Sequence, residues 1–260
     1  LMGFTYKGSF MWKMRAGMGD VVFAPMYELL RRRGVNFHFF HKVNALSLDA
    51  SKRDVAAIHL EVQARTKDRA AYEPLIRVGD LLCWPSTPRY EQLDDADSLE
   101  GVDLESDWAK PSECDALTLR KGRDFDRIVC GIPVAALRRV AAELVEASPK
   151  WRAMVDHVQT VRTQSVQVWV RASDSQTRWQ DETHVMTDVY ADPFNSIADM
   201  WQTLPSEAWP GGEVGGVVYV STPMPDDANE PAAPCREYPH TQDERVETRA
   251  RDVGLGALQH

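Results

Sequence analysis

The feature that most constrains the fold is a short, continuously apolar segment that runs directly into a helix-forming one. Residues 128–132 are apolar in succession and end at a glycine and a proline. A run of this length is typical of a strand buried on both faces, as in a parallel sheet. The alanine-rich residues 134–147 then predict a helix, and a second helix is predicted over residues 149–157, after Ser148 as its cap. This order favours an α/β arrangement.

Helical and strand-like patterns alternate through the first 160 residues. Residues 20–33 predict an amphipathic helix with Asp20 as N-cap and Gly34 just beyond its last turn. Its apolar stripe is expected to contain Val22, Met26, Leu29 and Leu30. Four strands are predicted, with a hairpin turn at residues 51–54, over residues 35–49, 54–64, 75–83 and 116–120.

The second part of the chain has a different texture. Strict alternation predicts half-buried antiparallel strands over residues 161–173, 183–191 and 215–222, with a tryptophan-rich stretch over residues 197–209. Thr241 and Glu244 fit a capping box that opens a final polar helix. We therefore expect an α/β part, residues 1–160, and a β-rich part, residues 161–260, which together are α+β.

Acidic residues crowd into one stretch of the first part. Eight carboxylates lie between Glu91 and Asp107, with almost no aliphatic pattern. Runs of this kind are usually solvated surface. We interpret residues 65–115, approximately, as a surface insertion.

Composition excludes several classes of protein. The chain has 30 basic and 39 acidic residues, for a net charge of −9, and no strongly basic patch, so we expect no nucleic-acid partner. No apolar run reaches the roughly 20 residues of a membrane helix, so no membrane span is expected. The four cysteines form no CxxC pair. This spacing favours free thiols in a reducing compartment, and we expect a cytoplasmic location.

No complete catalytic motif is present. Gly17 and Gly19 precede a helix as in a dinucleotide-binding turn, but Val22 replaces the third glycine, and the following strand ends without an acid to bind ribose. His38 and His41 are three residues apart, which on a strand places them on opposite faces. We therefore predict no metal site there.

Two stretches resemble the flavin-containing amine oxidoreductases, a group that includes amine oxidases and phytoene-desaturase-like enzymes. The first stretch has Gly17–Gly19, an amphipathic helix, Arg33–Val35, a strand, and then Lys42–Leu46. The second is Phe125–Pro133, followed by the alanine-rich helix and the entry into residues 161–172. The resemblance covers roughly residues 10–64 and 120–172.

This resemblance implies a partial Rossmann-like FAD-binding domain joined to a β-rich substrate-binding domain. Neither the GxGxxG segment that normally precedes these stretches in the family nor the Gly-Asp segment that follows them is recognisable. The chain thus resembles the central portion of such an enzyme, which the remainder of its polypeptide or a partner subunit would complete. By itself, such a portion is expected to expose apolar surface. By resemblance, Val43 would contact the adenine through its backbone, and Gly131, Ile132 and Pro133 would line the cofactor cleft.

The resemblance also implies a reaction, and one residue departs from the family's pattern. Removal of a hydride equivalent from a C–N or C–C bond of a small substrate is expected, with Trp169 and Tyr190 lining the substrate cavity. Gln164 occupies the position of the family's flavin-proximal lysine, and an amide cannot act as a cation or a base there. Two alternatives stay open, namely a non-catalytic binding or scaffold module of the same fold and an independent nucleotide-binding domain built on Gly17 and Gly19.

Overall fold

The strands form three antiparallel sheets. A computed structural model describes residues 13–94, 96–106, 115–171, 186–191, 194–206, 214–224 and 237–257. The sheets have the orders β1-β2-β5, β3-β4 and β6-β9-β8-β7. The strands are β1 (His41–Leu48), β2 (Val55–Val62), β3 (Ile76–Val78), β4 (Leu81–Cys83), β5 (Asp115–Arg120), β6 (Arg162–Val170), β7 (Met186–Ala191), β8 (Phe194–Asp199) and β9 (Gly216–Met224). The fold is α+β, as expected from the sequence.

Six α-helices accompany these sheets in the described residues. They are α1 (Ala24–Arg32), α2 (Ala96–Leu99), α3 (Val134–Val140), α4 (Ala142–Ala147), α5 (Pro149–His157) and α6 (Glu237–Ala257). None of the described helices combines the length and apolarity that a membrane crossing requires. The sequence predicted α5 correctly, although the Ser148 side chain makes no capping hydrogen bond.

The predicted hairpin between β1 and β2 is confirmed, and one carboxylate organises its turn. Asp49 Oδ1 accepts hydrogen bonds from the backbone N–H groups of Arg53, at 3.1 Å, and Asp54, at 3.3 Å. The hydroxyl of Ser51 also donates to Asp49. These bonds, the one from Ser51 first, lower the pKa of Asp49.

A bulge in β1 decides which side chains reach the core. Val43 pairs with Leu60 and Ala45 with His59, so that Asn44 is the extra residue. A bulge shifts the alternation of side chains by one position. Val43 therefore lies on the same face as Leu46, although the two are three residues apart, and this face packs against the helices.

Helices α3 and α4 cover that face of β1. The buried residues of this core are Leu46, Leu137, Val140 and Ala141. Ala141, which is fully buried, separates α3 from α4 and has non-helical dihedral angles. The helix predicted over residues 134–147 is thus two helices joined at a residue small enough to approach the sheet.

The prediction of a buried parallel strand at residues 128–132 is wrong for this structure. These residues have no strand pairing, and Val129 is 98% exposed. Every pairing between the named strands is antiparallel. The apolar run indicates burial only when a neighbouring strand is present, and the described residues supply none.

Helix α1 is present, but its buried face differs from the predicted one. Ala24 and Tyr27 are buried, whereas Met26 and Leu29 are each nearly half exposed. A π-helical turn, Gly19–Phe23, precedes α1. Asp20 does not cap the helix through its side chain, because its carboxylate accepts the backbone N–H of Trp84 at 3.0 Å. Gly34 has the positive φ of 86° expected beyond the last turn.

Residues 63–114 connect two strands that pair directly. β2 and β5 are antiparallel neighbours, and Arg65 forms an ion pair with Asp115 at the base of the connection. The acidic side chains described here are exposed, as predicted. Leu93 and Leu99, however, are buried, so this insertion has packed apolar residues of its own.

The second part of the chain is a four-stranded sheet with one long helix. β6 and β9 pair along nine residues each, and β8, which the sequence pattern did not reveal, pairs with β9 and β7. Helix α6 begins at Glu237, so Thr241 is not its cap; the Thr241 hydroxyl donates to Glu237 O instead. Lys13 donates to Asp199 O at 2.5 Å, which ties the first described residue to this sheet.

The exposure of Val129 leads to a stability prediction. Val129→Ser should change the free energy of unfolding by less than about 0.5 kcal/mol, because the side chain loses almost no contacts. Leu137→Ala should cost about 2–5 kcal/mol, because it leaves a cavity under β1. Urea unfolding of both variants measures the difference. A cost above about 1 kcal/mol for Val129→Ser would show that the segment is buried in solution.

Candidate functional site

The structure brings Val43 and Ile132 onto one core. Both are partly buried and pack against the cluster formed by Leu46, Leu137, Val140 and Ala141. The two segments that carry the family resemblance therefore meet at β1 and the start of α3. The side chains of Val43 and Ile132 serve as core residues here, which leaves only their backbone groups for a ligand.

Gly131 and Pro133 lie at the surface beside this core. Both are exposed, and a Cβ atom at Gly131 would meet nothing within 4 Å. Strand β1 is the edge strand of its sheet, so one side of its backbone has no strand partner among the described residues. Edge strands present N–H and C=O groups of the kind that an adenine ring can pair with. These residues leave backbone groups and open space at the surface, and the side chains of Val43, Gly131, Ile132 and Pro133 include no cation that could bind a phosphate.

Gln164 is held by the C-terminal helix. Its Oε1 accepts a hydrogen bond from Arg249 Nε of α6 at 2.9 Å. The amide is therefore already engaged by a cationic group, and a lysine at this position would face that guanidinium. The opposite residue of β9 is Thr222, which is buried.

The predicted substrate residues, Trp169 and Tyr190, lie far apart on the four-stranded sheet. Gln164 and Trp169 are five residues apart on β6, so they point to opposite faces. Trp169 is 48% exposed. Tyr190 belongs to β7, at the other edge of the sheet, with β9 and β8 between; its side chain lies outside the described part of the structure. The structure does not bring these two aromatic residues together.

The turn at Gly17 and Gly19 is packed rather than open. The backbone N–H groups of Asp20 and Val21 both donate to Gly17 O. A Cβ atom at Gly19 would lie 3.5 Å from Trp84 Cδ1. The carboxylate of Asp20 places negative charge where a phosphate would have to bind. This arrangement favours a glycine-assisted turn into a helix over a phosphate-binding loop.

Sequence patterns did not reveal an aromatic cleft beside the insertion. We call it the aromatic cleft; its volume is about 720 Å³. A second cleft, of about 810 Å³, shares residues 38–41 and Tyr72 with it. The walls of the aromatic cleft include Phe39, Tyr72, Pro74, Trp84, Pro88 and Tyr90. The one sequence feature that could have indicated it is the group of aromatic residues Phe37, Phe39 and Phe40.

Edge-to-face ring contacts hold the cleft together. Tyr27, which is 6% exposed, lies 4.7 Å from Phe37 and 5.4 Å from Trp84 between ring centroids. Tyr72 contacts Phe39 and Phe40 at 5.3 and 4.9 Å. Such T-shaped pairs add about 0.5–1.5 kcal/mol each beyond the area they bury. Burial raises the pKa of the Tyr72 phenol, and the backbone N–H of Arg89 opposes this by donating to it.

Gln63 fixes the spacing between two walls of the cleft. It is 6% exposed. Its backbone N–H donates to Phe40 O at 2.8 Å, and its side-chain amide donates to Leu104 O at 3.0 Å. Phe40 has a positive φ of 58°, a strained value for a bulky residue. The hydrogen bond from Gln63 helps to hold this conformation.

The two histidines of the cleft are close to each other. The ring centroids of His38 and His41 lie 5.6 Å apart, and His41 Nδ1 donates to Phe39 O at 2.5 Å. His41 begins β1, whereas His38 precedes the strand, so the expected alternation between strand faces does not apply to this pair. Among the described residues, no group of three or more His, Cys, Asp or Glu side chains is placed to hold a metal ion.

Comparison with known proteins adds no relative to this picture. Neither the family models nor the curated proteins nor the solved structures include a significant match to the chain.

The contact between Gln164 and Arg249 generates a pH-dependent prediction. Gln164→Glu should raise stability by about 1 kcal/mol at pH 7, because a carboxylate replaces the amide against the guanidinium. Arg249 would hold the pKa of this carboxyl below its unfolded value, so the gain should be present above about pH 4.3 and be lost as the pH falls through the folded pKa. Gln164→Lys should destabilise the protein.

Urea midpoints measured between neutral and acidic pH test this expectation. Gln167→Glu is the matched control, because it adds the same charge to an exposed position on the other face of β6. Equal effects of the two glutamate variants would contradict a specific contact with α6.

Proposed function

We propose that the chain is the central portion of an FAD-dependent oxidoreductase related to the amine oxidases. The observation that supports this most is the shared core of Val43 and Ile132, since the two segments that resemble the family pack on each other. In that family, the same two segments meet the cofactor. FAD accepts the hydride equivalent when it is bound, and the protein orients the substrate and excludes water from it.

The exposed apolar surface is a second support. Val129, Met26 and Leu29 are exposed on the segment before α3 and on α1. Exposed apolar side chains concentrated on particular elements are typical of surfaces that pack on another part of a protein. A partial FAD-binding domain completed by further segments accounts for an unpaired apolar run and an outward-facing apolar helix stripe.

Within this proposal, the residues have distinct parts. The free edge of β1 at Val43 would pair with the adenine ring through backbone groups. Gly131 would let the cofactor approach the chain closely, because the space beside it is open. Gln164, engaged by Arg249, would not serve as a base, so the proposal favours dehydrogenation of a C–N or C–C bond over a reaction that needs a basic lysine.

The visible absorption spectrum of the complete polypeptide encoded by the gene tests the proposal. A flavin that co-purifies, or that binds on reconstitution with FAD, is the expected result. A folded, colourless protein that does not bind FAD would overturn the proposal and favour a non-catalytic binding module.

One substitution tests the position of the cofactor. Gly131→Val should weaken FAD binding by about tenfold or more, equivalent to about 1.4 kcal/mol, because the added methyl groups occupy the open space. The fold should be retained, since a Cβ atom at this position meets no neighbour. Ala153→Val, at an exposed position of α5, is the control. Unchanged FAD affinity in Gly131→Val would show that the cofactor does not pass this residue.

A further inference from the structure

The aromatic cleft is a preformed groove rather than an enclosed cavity. Several of its lining residues are exposed and form a rim, among them His38, Ser86, Thr87, Asp103 and Glu105. The second cleft adjoins it, because residues 38–41 and Tyr72 line both. A drug-sized ligand is usually enclosed over most of its surface. An open groove with two adjoining halves fits an extended chain better.

The walls present rings on which an extended chain can lie. Trp84 and Tyr72 line the groove, and Pro74, Pro85 and Pro88 add rigid apolar surface to its lining. Grooves lined by Tyr, Trp and Pro side chains are the usual receptors for segments in the polyproline II conformation. Such segments have no internal hydrogen bonds and lose little conformational entropy when they bind.

The groove is also held in one shape before anything binds. Gln63 joins the wall at Phe40 to the wall at Leu104. The proline residues fix their own backbone dihedral angles. The rings of Tyr72 and Trp84 are each held by edge-to-face contacts with Phe39 or Tyr27. A rigid groove loses less side-chain entropy on binding than a flexible one.

The rim of the aromatic cleft carries negative charge. Asp103 and Glu105 line it, and among the residues that the structure describes no lysine or arginine belongs to its lining. The contacts described for these two side chains include no cation; Asp103 Oδ1 accepts the backbone N–H of Glu105 at 3.0 Å. The second cleft is mixed in charge, with Arg65, Arg69, Asp68 and Asp94. A basic side chain on the ligand would therefore complement the first half of the groove.

We propose that the aromatic cleft binds an extended proline-rich peptide segment that carries an arginine or lysine. The proline residues would pack on Trp84 and Tyr72, and the basic side chain would reach Asp103 and Glu105. The site is formed by residues 38–41 and by the insertion, and its lining includes neither Gly131 nor Gln164. It does not depend on the proposed flavin chemistry.

Binding of synthetic peptides to the chain tests this proposal. The probe is a fluorescein-labelled peptide of twelve residues, in which a Pro-Pro-Ala repeat is flanked by one arginine at each end. Fluorescence anisotropy reports its binding. Two further peptides serve as comparisons, one with glutamate in place of arginine and one with glycine in place of proline. The first peptide should bind, and each change should weaken its binding several-fold.

A pair of double variants locates the site. Asp103→Asn with Glu105→Gln should weaken binding of the basic peptide by roughly three- to tenfold at low salt, as expected for the loss of two exposed ion pairs. Asp97→Asn with Glu100→Gln is the control, because it removes the same charge from exposed positions of the same insertion outside the cleft. Asn and Gln keep the shape and one acceptor oxygen of each side chain.

Four results would overturn the proposal. The first is no binding of the basic proline-rich peptide at millimolar concentration, and the second is equal binding of the glycine peptide. The third is equal weakening by both double variants, which would indicate unspecific attraction. The fourth is displacement of the peptide by benzylamine at comparable concentration, which would assign the cleft to small organic cations. Selective weakening by the variants of Asp103 and Glu105 would support it.

Discussion

The close packing of α3 and α4 on β1 is the constraint on which the first part of the structure depends. Ala141 is fully buried where the two helices meet, and no larger side chain would allow the same approach to Leu46. This contact returns the chain, after the long insertion, to the strand where the core began. It also aligns Val43 with Ile132, so the proposed cofactor face exists only because this layer of helices is in place.

A second set of contacts, centred on Tyr27, organises the insertion. Tyr27 is one of the two buried residues of α1, and its ring touches those of Phe37 and Trp84. Asp20 adds a hydrogen bond to the Trp84 backbone. Helix α1 therefore turns its small and aromatic side chains toward the insertion and leaves its aliphatic stripe outside. The same contacts that bury Tyr27 shape the wall of the aromatic cleft, so the cleft is a consequence of how the insertion docks.

Local signals in the sequence predicted the elements that local interactions determine. The β1–β2 hairpin is encoded by Asp49, whose carboxylate closes the turn within five residues, and α5 begins at a proline that suits a first helical turn. Features that need a distant partner were not predictable. The side of α1 that is buried depends on Trp84, and the role of Gln63 depends on Leu104. Residues 128–132 are as apolar as a central strand, but no pattern within them says whether a neighbouring strand exists. The bulge at Asn44 carries no glycine that could have marked it.

The two proposed sites meet at the beginning of β1. His41 lines both halves of the groove, and Val43, two residues further along, belongs to the proposed cofactor face. Phe40 lines the groove and immediately precedes β1. Its positive φ is an unfavourable conformation, of the kind that costs about 1–3 kcal/mol. Its carbonyl is held by Gln63 and its ring by Tyr72, both of which line the aromatic cleft. The strained residue that precedes β1 is therefore supported by two residues of the aromatic cleft, and the geometry of the cleft and the start of β1 depend on the same contacts.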